Sequence, residues 1–131
     1  MTVVVDSSAV VAALLDRGND GVWARRLLER EPLAAPGHLF VEVSSALRRG
    51  VLSGLVGRDV AALAHSDLVQ LSVVVFPFEP LASRVWELHP DVTSYDAAYV
   101  ALAEALDVPL VTLDGRLARA SGPRCEFLLP S

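Results

Sequence analysis

Four acidic residues stand where a carboxylate can do chemistry. Asp6 closes the apolar run Val3 to Val5, Asp114 follows the run Leu110 to Leu113, Asp96 opens a helical segment, and Glu42 lies inside another beside Leu39, Val43 and Ala46. In an open α/β sheet, ligand groups gather at the carboxyl ends of strands. A carboxylate among apolar neighbours is costly unless it is paired, hydrogen-bonded or bound to a cation. Such an all-oxygen set suits a hard cation. Magnesium takes oxygen ligands at about 2.0 to 2.1 Å, keeps several waters and needs only one or two direct carboxylates. One or two such ions can orient water and stabilise developing charge in phosphodiester cleavage. Each acid also has a structural explanation. Asp6 and Asp114 can begin the helices that follow them, Thr93 and Asp96 have the spacing of a capping box, and Glu42 can pair with Arg49 or another arginine. The case for chemistry rests on the set.

Other chemistries find less support. His38, His65 and His89 form no HxH or HExxH arrangement, and the chain has no P-loop, GxGxxG or GxSxG. Ser7 and Ser8 lack a sequence partner for a histidine-based triad. The single cysteine, Cys125, has no partner for an internal disulfide and reads as a small core residue. All 11 basic residues are arginine, against 16 acids, for a net charge of -5. That balance disfavours long-range attraction to a polyanion, but metal-binding carboxylates count as negative in the sequence and are neutralised when loaded. Beside the acids, Ser7 and Thr112 can orient a carboxylate or a water, although Thr112 also suits ordinary strand packing. Arg116 can meet a phosphate or an acidic neighbour. Trp23, Trp86, Tyr95 and Tyr99 lie in helical patterns and read as core or interface aromatics rather than stacking platforms.

The elements that must position these residues follow from periodicity. A strand at Val3 to Val5 leads through a polar turn into a helix ending near Gly18, and a second helix spans Gly21 to Glu31. Helices are expected from about His38 to Arg49, around Val60 to Leu68 with Val60, Leu63, Ala64 and Leu68 inward, over Pro80 to His89, and over Thr93 to Leu106. Strands are expected at Leu71 to Phe76, Leu110 to Leu113 and Glu126 to Leu129, with a brief helix at Arg116 to Arg119. This alternation predicts an α/β fold with a mostly parallel central sheet whose short strands are covered by helices on both faces. With 131 residues, 53% of them hydrophobic, and no linker or repeat, the chain reads as one domain. The apolar start has no basic residue before Arg17 and is interrupted by Asp6, unlike a signal peptide, and no stretch suits a membrane span. A cytoplasmic protein is expected.

VVVDSSAVVAALL at the start, FVEVSSALRR, TSYDAAYVALAEAL and the closing LVTLDGRLARA occur in an order and spacing that resembles the PIN-domain family, specifically the toxin ribonucleases of VapBC toxin-antitoxin modules. The resemblance spans nearly the whole chain and implies a single PIN domain over residues 1–131 with a three-layer α/β/α fold. It carries Asp6, Glu42, Asp96 and Asp114 over as an acidic cluster for magnesium or manganese. It further implies cleavage of single-stranded or looped RNA, a homodimer, and restraint by a cognate VapB-like antitoxin that approaches the acidic cleft. Two alternatives differ in class: a PIN-type nuclease of RNA maturation or decay without an antitoxin, and a non-catalytic protein-binding α/β domain whose acids only cap helices.

Overall fold

The computed structural model describes residues 1–131. Strand β1 (Val3–Val5) feeds helices α1 (Ser7–Leu15) and α2 (Asn19–Arg30), and then β2 (Leu33–Pro36). Helices α3 (Leu39–Leu52) and α4 (Arg58–Gln70) lead to β3 (Val73–Phe76). A 3-10 turn at Glu79–Leu81 runs into α5 (Ala82–Glu87), followed by α6 (Ser94–Leu106), β4 (Leu110–Val111), α7 (Gly115–Arg119) and β5 (Phe127–Leu128).

The five strands form one sheet in the order β3-β2-β1-β4-β5, and every neighbouring pair is parallel. Right-handed crossovers place α1 to α4 on one face. After β3 the chain returns across the sheet to β4, so the same handedness puts α5 and α6 on the other face. The result is the expected three-layer arrangement. Strand order reverses at β1, and the crevice outside the carboxyl ends of β1 and β4 is where such a sheet offers a ligand site.

Burial explains why these short strands hold. Val3, Val4, Val5, Leu110 and Val111 are fully buried, as an inner parallel strand requires. The middle of α6, from Ala97 to Ala103, is buried on every side, so this stretch is apolar all round. Tyr99, its largest side chain, lies completely inside.

Some expectations require correction. Strand β2, LAAP, was not foreseen, because alanine and proline carry little strand propensity; it forms because Leu33 to Pro36 pair with both β1 and β3 and are wholly buried. On α4 it is Ala61, Ala64 and Leu68 that face inward, while Val60 and Leu63 are exposed. Edge strand β3 is not covered on both faces: Val74 and Val75 reach solvent. Trp86 and Tyr95 are surface residues, with Trp86 stacked on His89 at 4.1 Å between ring centroids. Cys125 is only half-buried at the core's margin, and burial raises its thiol to about 11.

The corner between α1 and α2 depends on Gly21. A Cβ there would stand 1.8 Å from the Asp16 carbonyl oxygen, which is backbone and cannot step aside. Gly21→Ala is therefore expected to cost at least about 2 kcal/mol by forced backbone displacement. Thermal unfolding should show a midpoint lower by roughly 5 °C or more; an unchanged midpoint would mean that the corner yields freely.

Candidate active site

Asp6 leaves β1 as the N-cap of α1, and its carboxylate is held from three sides. Oδ1 accepts from the Ala9 backbone N–H at 3.1 Å and from the Ser8 hydroxyl at 2.6 Å, while Oδ2 accepts from the Thr112 hydroxyl. Ser8 Oγ in turn accepts from Leu113 N at 2.9 Å, and Thr112 Oγ1 from Asp114 N at 3.0 Å. These bonds tie the carboxyl end of β1 to that of β4, so the two central strands share one polar seam. Asp6 and Thr112 are the buried polar side chains of the protein. Burial pushes the Asp6 carboxyl upward, the Ser8, Thr112 and Ala9 bonds oppose the rise, and Glu42 adds to it.

Glu42 enters from the first turn of α3. Its Oε1 accepts from the Tyr99 hydroxyl at 2.6 Å, with His38 Nε2 at 3.4 Å. His38 is fixed in turn: its Nε2 lies 3.0 Å from the Tyr95 carbonyl oxygen and its ring packs 4.8 Å from that of Tyr99. Tyr99 loses its proton with difficulty, because burial and the bond to Glu42 both hold its acidity far down, so it remains a donor.

Asp114 is the N-cap of α7, and its Oδ1 accepts from Arg116 N at 2.9 Å and Leu117 N at 3.3 Å. Asp96, in the first turn of α6, makes half of the expected capping box. Thr93 Oγ1 accepts from Asp96 N at 3.3 Å, but the Asp96 carboxyl gives nothing back. It accepts no hydrogen bond from the protein. Burial, then the charges of Asp6, Glu42 and Asp114, raise it to about 6, with His38 partly offsetting them. The four acids thus share one electrostatic field, and two of them are helix caps at the same time.

The surrounding residues divide differently from expectation. Ser8, rather than Ser7, touches Asp6; Ser7 instead lines the adjoining groove. Thr112 orients Asp6 from the position just after β4. Arg116 is almost fully exposed, with Nε 4.0 Å from Asp114 Oδ1. Arg49 does not pair with Glu42 but lies with Asp16 along a groove of about 760 Å³ between α1 and α3. His38 and Tyr99 were not singled out as site residues, yet His38 precedes Glu42 by four positions and Tyr99 follows Asp96 by three, the intervals that share a helix face.

The chemistry of the donors fits a hard divalent cation: carboxylate oxygens only, one carboxyl left without a protein donor. No three His, Cys, Asp or Glu side chains are drawn together into a ready coordination cage.

A five-stranded parallel sheet with acids gathered at its switch point defines a class of small acidic-site α/β proteins. The PIN domain family matches residues 3–123. Ribonuclease VapC1 of Mycobacterium tuberculosis is 46% identical over 127 residues, covering 96% of each chain. Among solved structures, M. tuberculosis VapC20, described as a sarcin-ricin loop cleaving toxin, superposes with a TM-score of 0.69 at 20% identity over 89% of this chain and 93% of that one. The Rickettsia felis VapBC2 structure, bound to a promoter DNA fragment, gives 0.70 at 13% identity over 100% of both chains. The chain belongs to the PIN-domain family, within its VapC-type toxin ribonucleases that act in toxin-antitoxin modules.

Proposed function

We propose that the whole chain acts as one PIN domain, a magnesium- or manganese-dependent endoribonuclease in which Asp6, Glu42, Asp96 and Asp114 hold the cation. The observation that carries this reading is the Asp6 carboxylate, held at the carboxyl end of β1 by Ser8, Thr112 and the Ala9 N–H within the field of Glu42, Asp96 and Asp114, where the Asp96 carboxyl has no hydrogen-bond donor. When bound, the cation supplies charge neutralisation at the phosphoryl oxygens and a more acidic attacking water.

The chain's own residues supply order. Ser8, Thr112 and the Ala9 N–H fix the Asp6 carboxylate before anything binds, so little reorientation is left for the reaction. Tyr99 and His38 both meet Glu42 Oε1, and no protein donor bonds Oε2. Asp114 keeps one oxygen on the α7 backbone and has the other free. Arg116, exposed beside Asp114, would meet an RNA phosphate. Hydrolysis adds water oxygen to phosphorus and breaks the bond to the 3′ oxygen, which leaves with a proton. The products carry a 5′-phosphate and a 3′-hydroxyl.

Incubation of the protein with total RNA, followed by sequencing of 5′ ends, tests this directly. Discrete 5′-phosphorylated ends in magnesium or manganese, lost in EDTA, are expected; undiminished cleavage in EDTA would remove the cation from the account.

The same acids define the partner. A basic, arginine-bearing segment of a VapB-like antitoxin can pair bidentately with carboxylates that otherwise hold the cation. The exposed apolar residues Leu52, Leu55, Val60 and Leu63 at the α3–α4 connection support a homodimer. No helix is long and apolar enough to cross a membrane, and a restrained ribonuclease would act in the cytoplasm, where its RNA is. Raising magnesium from zero to 10 mM, an amount on the order of ten times a millimolar-affinity site, should weaken antitoxin binding severalfold. An affinity independent of magnesium would contradict competition at the cleft.

A further inference from the structure

A second cavity, of about 610 Å³, opens at the carboxyl ends of β2 and β3, on the same edge of the sheet as the acids. Its walls include Pro36, His38, Phe76, Phe78 and Tyr95. No aspartate, glutamate or arginine lines it. Phe78 and Tyr95 are 53% and 64% exposed, and the Tyr95 ring stands 6.1 Å from that of His38.

Two side chains join this cavity to the site. Tyr95 lines both it and the groove beside Glu42, and is the chain neighbour of Asp96. His38 forms part of the wall while its Nε2 stands 3.4 Å from Glu42 Oε1 and 3.0 Å from the Tyr95 carbonyl oxygen. The wall is therefore stiff on the side that faces the acids. Strands in a sheet lie about 4.8 Å apart, so the cavity at β2 and β3 is within reach of a nucleotide next to one whose phosphate lies at β1 and β4.

We propose that this cavity is a nucleobase subsite, which takes one unpaired base of the RNA flanking the scissile phosphate. The assignment rests on the ribonuclease reading of the acids. With Phe76, Phe78 and Tyr95 in its wall and no aspartate, glutamate or arginine, the cavity offers no guanidinium to a phosphate and no carboxylate to an arginine of a protein partner. It offers ring faces and apolar surface, which an unstacked base of any identity can use. Because a paired base is not free to enter, the subsite selects looped or single-stranded RNA over duplex.

The test uses the full chain in calcium-containing buffer and a series of short single-stranded RNAs, each with one abasic site at a successive position. With wild type, one position should lose roughly 5- to 100-fold in affinity when its base is removed, the worth of one stacked base. Phe78→Ala should lose a similar factor on intact RNA and show no further loss at that abasic position, as a double-mutant cycle requires of a direct contact. Phe78→Trp should retain the effect, which separates the ring from local folding. If wild type binds and cleaves RNA while both Phe78 variants keep the wild-type affinity and abasic pattern, the subsite is wrong and the ribonuclease reading stands. Phe78→Ala changing only the oligomeric state, or only the affinity for an antitoxin, would likewise overturn it in favour of a second copy or a protein partner. If wild type neither binds nor cleaves RNA, both assignments fall together.

Discussion

Asp6→Asn should lower RNA cleavage by at least about 100-fold and leave the fold as stable as wild type or more so. Cleavage falls because the substitution removes an anionic ligand, and even partners one step away from a ligand are commonly worth about 10- to 100-fold. Stability does not fall, because the native carboxylate is buried and its pKa is raised, so its charge opposes folding at neutral pH. Asparagine keeps an acceptor for the Ala9 N–H, and the Thr112 hydroxyl can turn to serve the new amide. Cleavage rates at saturating and subsaturating manganese, beside thermal unfolding of both proteins, separate the two effects. Full activity in the variant at subsaturating manganese would take Asp6 out of the site.

The second large effect is a dependence of stability on pH and metal. Asp96 has an ordinary value near 3.8 in the unfolded chain and about 6 in the fold. A raised carboxyl binds its proton more tightly when folded. It therefore opposes folding in full above about pH 6, and the penalty is relieved as pH falls from 6 toward 3.8. At about 1.4 kcal/mol for each tenfold change in proton affinity, discounted for a partly exposed group, the penalty is on the order of 1–2 kcal/mol at pH 7.5. Asp6 moves in the same direction. The opposing carboxyls lie outside this window. The amino terminus, followed by Arg30, lowers Glu31, and Arg84 lowers Glu104 against the desolvation that raises it. Their stabilisation is lost only as pH falls below their ordinary value of 4.5. The metal-free protein should consequently gain stability between pH 7.5 and 5.5. A cation that binds only the folded cluster stabilises by mass action, most strongly where its ligands are ionised.

How far the sequence reaches depends on the kind of signal. The strands VVV and LV and the all-apolar middle of α6 were legible because burial on every side leaves an uninterrupted apolar run. Strand β2 was not, since the residues Ala34, Ala35 and Pro36 are set by the space between two neighbours rather than by propensity. Val60 and Leu63 fit the helical period yet face solvent, because periodicity marks an apolar face without saying whether the core or another surface covers it. Asp6, Asp96 and Asp114 stood out through their places at element ends, and Glu42 through its apolar helical neighbours. Their partners did not: Ser8, Tyr99 and His38 act across α1, α3, α6 and β4, and only the strand order β2-β1-β4 brings these together.

Scanning calorimetry of wild type and Asp96→Asn at pH 5.5 and 7.5, each with and without magnesium, tests most directly whether the four carboxylates form one cation site. Asparagine retains the backbone N–H that donates to Thr93, so the cap survives while one repelling charge and one ligand are lost. Wild type should melt higher at pH 5.5 than at 7.5 without metal, and magnesium should raise its midpoint most at pH 7.5, with both responses clearly smaller in Asp96→Asn. Identical pH and magnesium shifts in the two proteins would make Asp96 a helix-end residue outside the cation's field and contradict the four-acid site.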